Sequence, residues 1–355
     1  MYGLADAPRH FYLRLRGELI QLGVCPSKLD CGLYFFQHEG QFSGILACHV
    51  DDILWAGSTH FKETVIAPLR STFMFGNESS SAFKYIGIEI QQHPDFSITM
   101  SQRNYASSLK QLGIPTSGSK SITLSGSDLE AFHTKVGQLN WLANVCRPDI
   151  SFETCYLSGC NKSATVQDLL YLNKVISNVQ KNDSYLFFPV LDRKTSYVEV
   201  YTDGSFGSLP NGGSQGGSFV FLRDESGRCC PLGWNSSRLK RVVRSALAAE
   251  TLALCDGCET ALFTSEILKE VLSLSAIRMS AVIDSQSLYE AIGTQKQPSN
   301  RRLRVEINAL REMVERGEAL ISLVPGSRQL SDPLTKRGAS CSMLRNVLQS
   351  GQLLQ

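Results

Sequence analysis

The order of apolar segments in the second half of the chain restricts its fold more than any other feature. Three short β-forming segments come first, and a long helical segment, a fourth strand, two helices and a fifth strand follow. Neighbouring strands in a chain tend to pair, so this order predicts an α/β fold with a mixed five-stranded sheet flanked by helices. The predicted strands are 196–202, 217–223, 229–234, 277–283 and 319–324, and the predicted helices are 242–272, 285–292, 303–316 and one at the C-terminus.

The first half of the chain combines short strands with helices. An apolar run over 42–50 is interrupted by Asp51 and Asp52 and then resumes, which predicts a β-hairpin with two carboxylates at its turn. Later, apolar residues recur every three or four positions, which is typical of helices in a connecting region. The further predictions are a helix over 60–73, a strand over 83–90 and helices over 127–145 and 165–180.

A change in composition at Asp192 suggests where the chain divides. The 355 residues suffice for about two domains, and 43% of them are hydrophobic. The charged stretch Asp192-Arg193-Lys194 ends a run that looks buried, so we predict one domain over 1–192 and a second over 193–355. The formal net charge of +2 excludes a polycation, and any nucleic-acid binding must therefore come from local basic clusters.

Two further features concern the environment of the protein. The N-terminus lacks the pattern of a secretory signal, and the uncharged stretch 204–222 is rich in Gly and Ser, which would leave backbone groups unpaired in lipid. The 11 cysteines are odd in number and scattered, which favours reduced thiols. We therefore expect an intracellular protein, cytoplasmic or nuclear, without a membrane partner.

Four acidic residues of the second half occur where an acid is costly to bury. Asp203 and Asp284 each end an apolar strand, Glu250 shares a helix face with leucines, and Asp332 begins a helix-like segment. A pair of Mg²⁺ ions held by carboxylates would offset that cost and support hydrolysis of a phosphodiester. Any one of these acids is more often a turn former or a helix cap. The pattern by itself leaves a metal nuclease and ordinary structural roles equally open.

Several short blocks of the chain carry a family resemblance. The blocks of the second half resemble the ribonuclease H domain of copia-type retrotransposon polyproteins, and those of the first half resemble the reverse transcriptase of the same elements. They follow one another in the family's order over nearly the whole chain. The second-half blocks are Tyr201-Thr-Asp203-Gly-Ser, Ser245-Ala-Leu-Ala-Ala-Glu250, Asp284-Ser-Gln286 and Gln329-Leu-Ser-Asp332-Pro-Leu-Thr-Lys336, and the first-half blocks are Tyr2-Gly-Leu-Ala, His49-Val-Asp51-Asp52, Lys84-Tyr-Ile-Gly and Val136-Gly-Gln-Leu-Asn-Trp141 with Arg147-Pro-Asp.

The resemblance implies a site and a substrate. It implies that two Mg²⁺ ions, with Mn²⁺ as an alternative, are held by four acids and cut the RNA strand of an RNA/DNA hybrid. It also implies a place for the chain in a retroelement polyprotein, the rest of which would be its partner. The acids are Asp203, Glu250, Asp284 and Asp332, and two of three polymerase carboxylates would be Asp51 and Asp52.

The polymerase half departs from the family in two ways. The third carboxylate belongs on a strand before Tyr2-Gly3, where this chain begins, and His49 replaces the usual tyrosine before Val-Asp-Asp. We therefore expect an incomplete polymerase site in a truncated reverse transcriptase over 1–192, and no DNA synthesis by this chain alone.

Two basic clusters are candidates for nucleic-acid contacts. Lys and Arg side chains that neutralise phosphates bind without sequence preference, whereas the ordinary alternative is a solvated face. With the resemblance, contacts to the backbone of a hybrid are favoured. The first cluster precedes the long helix and the second precedes a later one; their members are Arg238, Lys240, Arg241 and Arg244, and Arg301, Arg302 and Arg304.

Two other motifs have simple structural explanations, and more than one function remains open for the whole chain. The Gly-rich stretch 211–217 is better explained as a hairpin connection than as a phosphate loop, and Cys255 and Cys258 as structural thiols than as zinc ligands. The whole chain is either a ribonuclease H-type nuclease or a non-catalytic, nucleic-acid-binding remnant. A transposase or integrase core shares the predicted sheet but lacks an acid equivalent to Glu250 on its first long helix.

Overall fold

The chain divides into two compact units. The first comprises Met1–Ile86 and Phe263–Ile277, and the second Gly87–Leu262 and Arg278–Gln355. This division differs from the predicted domains 1–192 and 193–355, and the boundary after residue 192 stays a prediction. The computed structural model describes residues 6–114, 119–160, 162–294 and 300–353.

The first unit contains an antiparallel sheet, two helical segments from the N-terminal part of the chain and the last part of a long helix, from Phe263 to Leu272. Its sheet has the order β1-β2-β3-β4, and the ring of Phe61 packs over Gly44 and Gly57, where a Cβ atom would lie 2.5 Å or less from that ring. The core includes Leu15, Leu46 and other residues of the helices and the sheet. The elements are α1 (Ala7–Gln21), β1 (Cys25–Pro26), β2 (Leu33–His38), β3 (Gln41–His49), β4 (Asp52–Gly57), α2 (Thr59–Phe61), a π-helical turn (Lys62–Ile66), α3 (Ala67–Thr72) and β5 (Ala82–Tyr85).

The strand that the sequence predicts over 83–90 is interrupted in the structure. Ile86 and Gly87 both have positive φ angles, +46° and +76°, and so leave the extended conformation. Strand β5 ends at Tyr85 and a separate strand begins at Ile88. The helix predicted over 60–73 is present as the continuous run from Thr59 to Thr72.

The first part of the second unit is mainly helical. Helices α5, α6 and α7 enclose a core that includes Phe132, Leu139 and Leu172. Thr165 and Asp168 form a capping box that starts α7 one residue later than predicted. The elements are β6 (Ile88–Gln92), β7 (Ile98–Ser101), α4 (Arg103–Ser108), α5 (Gly126–Val145), α6 (Ser151–Gly159), α7 (Val166–Lys181) and β8 (Leu186–Phe188), in which β6, β7 and β8 pair antiparallel in that order.

The second part of this unit contains the mixed five-stranded sheet that the sequence predicts. Its strand order is β11-β10-β9-β12-β13, with the first three antiparallel and the last two added in parallel. The α/β fold class is therefore confirmed. The elements are β9 (Tyr197–Ser205), β10 (Gln215–Arg223), β11 (Cys229–Arg238), α8 (Ala246–Leu272), β12 (Met279–Ile283), α9 (Gln286–Gly293), α10 (Arg301–Glu315), β13 (Leu320–Leu323) and α11 (Ser342–Ser350).

Three boundaries predicted from the sequence in this part of the chain need correction. Asp203 does not end its strand, because β9 pairs with β10 as far as Ser205. The cluster that begins at Arg301 does not precede α10 but forms its first turn, where the Asn300 side chain accepts a hydrogen bond from the Arg302 backbone N–H. Strand β11 extends to Arg238, four residues past the predicted end, because its pairing with β10 continues to that residue.

None of the helices in the described part of the chain combines the length and the low charge that crossing a bilayer requires.

Candidate metal centre

Strands β9 and β12 bring two of the predicted acids side by side. The two strands run parallel, and Val282 is aligned with Tyr201. Asp284 and Asp203 each lie two residues further along. Since side chains alternate between the faces of a strand, both acids are directed to one side of the sheet at neighbouring positions.

Helix α8 delivers the third acid, Glu250, close to β9. A glycine at position 204 allows this approach, because a Cβ atom there would lie 2.4 Å from the carbonyl carbon and oxygen of Ala249. The Gly204 backbone N–H donates a 3.2 Å hydrogen bond to Oε2 of Glu250. The start of the helix and the C-terminal end of the strand are therefore in direct contact at the acid.

Asp203, Glu250 and Asp284 form one cluster. Each offers a carboxylate oxygen, and these three oxygens all lie within 4.8 Å of one another. Asp203 is fully buried, and the other two are partly exposed. Burial, together with the charges of Asp203 and Asp284, raises the pKa of Glu250 to about 8. Burial also raises the pKa of Asp203, with Asp332 and Asp284 adding to it against the opposing effect of Lys336. Repulsion between acids this close is relieved either by a retained proton or by a bound cation.

The fourth predicted acid lies beside this cluster but is not a member of it. Asp332 opens a short 3₁₀ turn, Asp332–Leu334, and its Oδ1 accepts a 2.5 Å hydrogen bond from Nζ of Lys336. The same ammonium group donates a 3.3 Å hydrogen bond to Oδ1 of Asp203. The hydroxyl of Thr335 donates to the other oxygen of Asp203. Both carboxylate oxygens of Asp203 thus have partners from the segment that carries Asp332.

Two polar side chains attach the segment that carries Asp332 to the backbone of strand β9. Nε2 of Gln329 donates a 3.0 Å hydrogen bond to the Thr202 carbonyl, and Oγ of Ser331 donates one of 2.8 Å to the Tyr201 carbonyl. We name Gln329–Lys336 the β9-bound segment. Of these residues, the family resemblance predicts a role for Asp332 alone. The spacing of Lys336, four residues after an acid in a helix-like turn, was the signal that could have indicated an ion pair.

The two acids of the first unit occupy a different environment. Asp51 lies in the two-residue turn between β3 and β4, Asp52 begins β4 opposite His49, and all three side chains are exposed. The hairpin with two carboxylates at its turn has the predicted form. Among the described residues, no third Asp, Glu, His or Cys joins this pair in a group suited to hold a metal ion.

The two predicted basic clusters lie next to each other in the second unit. Arg241 pairs with Glu306 of α10, and Val243 and Leu247 pack with Leu303 and Ile307. The other members of the first cluster, Arg238, Lys240 and Arg244, are exposed, as are Arg301 and Arg302, whereas Arg304 is partly buried.

The cysteines that resemble zinc ligands in spacing lie inside α8. Burial raises the pKa of both the Cys255 and the Cys258 thiols, which disfavours the thiolate that a zinc site needs. All eleven cysteines are free. Within the described residues, the three-acid cluster is the sole group of this kind, so neither cysteine belongs to one.

The fold and the three clustered acids define a class of protein. A mixed sheet with this strand order, flanked by α8 and with one acid on β9 and another directly after β12, is a ribonuclease H-like fold. A solved foamy virus protease–reverse transcriptase in complex with an RNA/DNA hybrid has the same fold over 92% of this chain and 39% of its own, with a TM-score of 0.50 and 12% identity.

Comparison of sequences finds similar proteins among reverse transcriptases and retrotransposon polyproteins. Residues 1–123 match the family described as reverse transcriptase (RNA-dependent DNA polymerase). The chain is 25% identical over 353 residues to the Retrovirus-related Pol polyprotein from transposon RE1 of Arabidopsis thaliana, which covers 95% of this chain and 23% of that protein. It is 26% identical over 257 residues to the Putative transposon Ty5-1 protein YCL074W of Saccharomyces cerevisiae, over 68% of this chain and 81% of that one. The predicted resemblance to retrotransposon Pol polyproteins is confirmed, and the chain spans about a quarter of the length of the RE1 relative.

Proposed function

We propose that this chain is the reverse transcriptase–ribonuclease H part of a retroelement polyprotein and that it hydrolyses the RNA strand of RNA/DNA hybrids. The convergence of Asp203, Glu250 and Asp284 on a ribonuclease H-like sheet is the observation that carries this proposal. The foamy virus relative in fold was solved with such a hybrid, which supports the choice of substrate. Glu250 supports a nuclease over an integrase core, since it comes from the first long helix.

The donor set fits a hard divalent cation. All its ligand atoms are carboxylate oxygens, which suit Mg²⁺ and, as an alternative, Mn²⁺, and the sequence from residue 193 onwards contains no histidine. When bound, such ions would align a water molecule with the phosphodiester and stabilise the charge that develops. Asp203, Glu250 and Asp284 would be the principal ligands. Asp332 would act beside these ligands, either through its hydrogen bond with Lys336 or as a further ligand once that hydrogen bond is broken.

The basic clusters would contact the backbone of the hybrid. Arg238, Lys240 and Arg244 are exposed beside the start of α8, the helix that also carries Glu250. Arg301, Arg302 and Arg304 would extend this surface along α10, and Arg241, held by Glu306, would contribute less. Contacts of this kind give affinity that falls steeply with salt. Hybrid affinity that does not change between low and high salt would contradict this role.

The polymerase site of this chain would be inactive. Asp51 and Asp52 are exposed on a hairpin, and the described residues supply no third acid near them. Two acids on one turn do not hold the pair of metals that nucleotide transfer needs. A purified chain of these 355 residues that extends a primer would contradict this proposal.

The nuclease proposal is tested by hybrid cleavage. A labelled RNA/DNA hybrid is incubated with the full chain and Mg²⁺, and the variants Asp203→Asn and Glu250→Gln are compared with the parent. We expect each to lower the cleavage rate at least about 100-fold, because each removes a charge that holds the metal.

A matched variant separates the site from the rest of α8. Glu259→Gln changes an exposed acid of the same helix and should cleave at the parent rate. Equal rates for the parent, Asp203→Asn and Glu250→Gln would refute the site. Hybrid binding without cleavage in the parent would favour the non-catalytic remnant instead.

A further inference from the structure

Lys336 is the one cationic side chain that donates hydrogen bonds to the acids of the metal centre among the residues described. Its Nζ lies 3.3 Å from Oδ1 of Asp203 and 2.5 Å from Oδ1 of Asp332. Asp203 is completely buried, whereas the side chain of Lys336 is 42% exposed. The ammonium group therefore lies between a buried acid of the cluster and the acid that stands outside it.

The position of Lys336 is set by its surroundings. The β9-bound segment is attached to the carbonyls of Tyr201 and Thr202 by the side chains of Ser331 and Gln329. It also packs on β10 at Gly217, where a Cβ atom would lie 2.7 Å from Cβ of Leu334. Lys336 follows two residues later and needs no rearrangement to reach both acids.

An ammonium group in this position reduces the repulsion between acids, as a bound metal ion would. It offsets the repulsion between Asp203 and Asp332, which would otherwise be two unpaired acids close together. At the same time it occupies Oδ1 of Asp332, so this oxygen is not available to a divalent ion while the hydrogen bond is kept. Asp203, Glu250 and Asp284 remain together, with oxygens within 4.8 Å of one another, and can surround one ion.

We propose that Lys336 is a built-in cation of the centre, which limits the protein without nucleic acid to one divalent ion and must leave Asp332 before a second can bind there. Lys336 is thus a positioning residue for the acids. This inference rests on the metal centre of the proposed function. Its partial exposure gives the lysine a path into solvent.

Ion counting tests this inference without any measurement of cleavage. The full chain, free of nucleic acid, is titrated with Mn²⁺ by calorimetry, and bound Mn²⁺ is counted by electron paramagnetic resonance. We expect one ion in the parent. Lys336→Met should bind a second ion through the released Asp332, and it should bind the first about tenfold more tightly because a nearby positive charge is lost.

Two matched variants control for charge and for folding. Lys336→Arg keeps the positive charge and should stay at one ion. Lys269→Met removes a lysine that pairs with Glu266 away from the cluster, and should titrate as the parent does. The melting temperature of Lys336→Met in chelator should be lower than that of the parent and should rise more on adding Mn²⁺, which gives a second reading if the variant is unstable without metal.

The possible outcomes separate this inference from the proposed function. Two ions in the parent, or one ion in Lys336→Met with unchanged affinity, would overturn the role of Lys336 alone. A parent that binds Mn²⁺ no better than Asp203→Asn does would overturn the metal centre as well. Failure of hybrid cleavage with a normal ion count would leave the role of Lys336 intact and contradict only the nuclease proposal.

Discussion

Glu250 illustrates at the scale of one residue how the cluster depends on protons. Burial and the two neighbouring aspartates raise its pKa to about 8, above the ordinary value of 4.5. Between these values the unfolded chain is ionised while the folded chain keeps the proton, so the stability of the metal-free protein should fall as pH rises from about 5 to 8. Affinity for Mg²⁺ should rise over the upper part of the same window, since the ion binds the ionised acid. Thermal melts in chelator and calorimetry with Mg²⁺ across pH 5 to 9 measure the two trends.

The variant Glu250→Gln isolates this group. It should flatten both trends, because a glutamine neither titrates nor repels Asp203 and Asp284, and it should melt higher than the parent at pH 8 without metal. Glu259→Gln, an exposed position on the same helix, should keep the parent's dependence on pH. A parent whose melting temperature in chelator rises steadily from pH 5 to 8 would show that Glu250 is already ionised there.

At the scale of elements, the contact between β9 and α8 decides the geometry of the centre. Gly204 lies against the backbone of Ala249 and donates to Glu250, so there is no space for a methyl group between strand and helix. We expect Gly204→Ala to destabilise the protein by about 1–3 kcal/mol, since overpacking moves backbone and not a flexible side chain. It should also weaken Mg²⁺ binding, because the helix that carries Glu250 must shift. Denaturation in urea and calorimetry measure both effects.

A glycine of the edge strand β11 gives the control. A Cβ atom at Gly233 would meet no atom within 4 Å, so Gly233→Ala should change neither stability nor metal affinity by much. Parent-like metal affinity in Gly204→Ala would mean that α8 can shift without displacing Glu250. The contact between Gly204 and α8 would then not control the position of this acid.

At the scale of the whole molecule, the second unit combines residues from both predicted domains. Asp149, from the helical region, is fully buried and accepts hydrogen bonds from Arg147 at 2.8 Å and from Arg345 of α11 at 2.9 Å. Burial alone would raise the pKa of Asp149, but the two guanidinium groups have the larger effect, so the pKa is lowered. Nε1 of Trp234 on β11 also donates a 2.7 Å hydrogen bond to the Ala143 carbonyl. Contacts of this kind are those of one core.

The variant Asp149→Asn tests this shared core. The buried Arg147 and the partly buried Arg345 would lose their counter-charge, so we expect a loss of about 3–5 kcal/mol in the free energy of unfolding, measured with the full chain in denaturant. Asp183→Asn removes an acid from an exposed pair with Arg103, in which both side chains are more than half exposed, and should cost less than about 1 kcal/mol. Similar small losses in both variants would indicate that the ion pairs of Asp149 do not hold the two regions together.

The sequence by itself determined the order of elements and the identity of the acids. Local periodicity and apolar runs predict the five strands of the sheet and α8, because these depend on neighbours within a few residues. The same logic fails at Ile86 and Gly87, where positive φ angles interrupt an apolar run, and at Asp203, where pairing with β10 carries the strand on to Ser205. Pairing partners lie far away in the chain and leave no local signal.

Only the tertiary structure decided which of the four acids share a site. Asp203, Glu250 and Asp284 meet because two parallel strands are aligned in register and because a glycine lets α8 touch one of them. Asp332 looks equivalent in the sequence, yet its carboxylate is bound by Lys336. The domain boundary after residue 192 is visible as a change in composition, whereas Asp149 and Arg345 unite the regions on either side of it. The physical reason is the same in each case: charge and packing act through distances in space, which the order of residues does not contain.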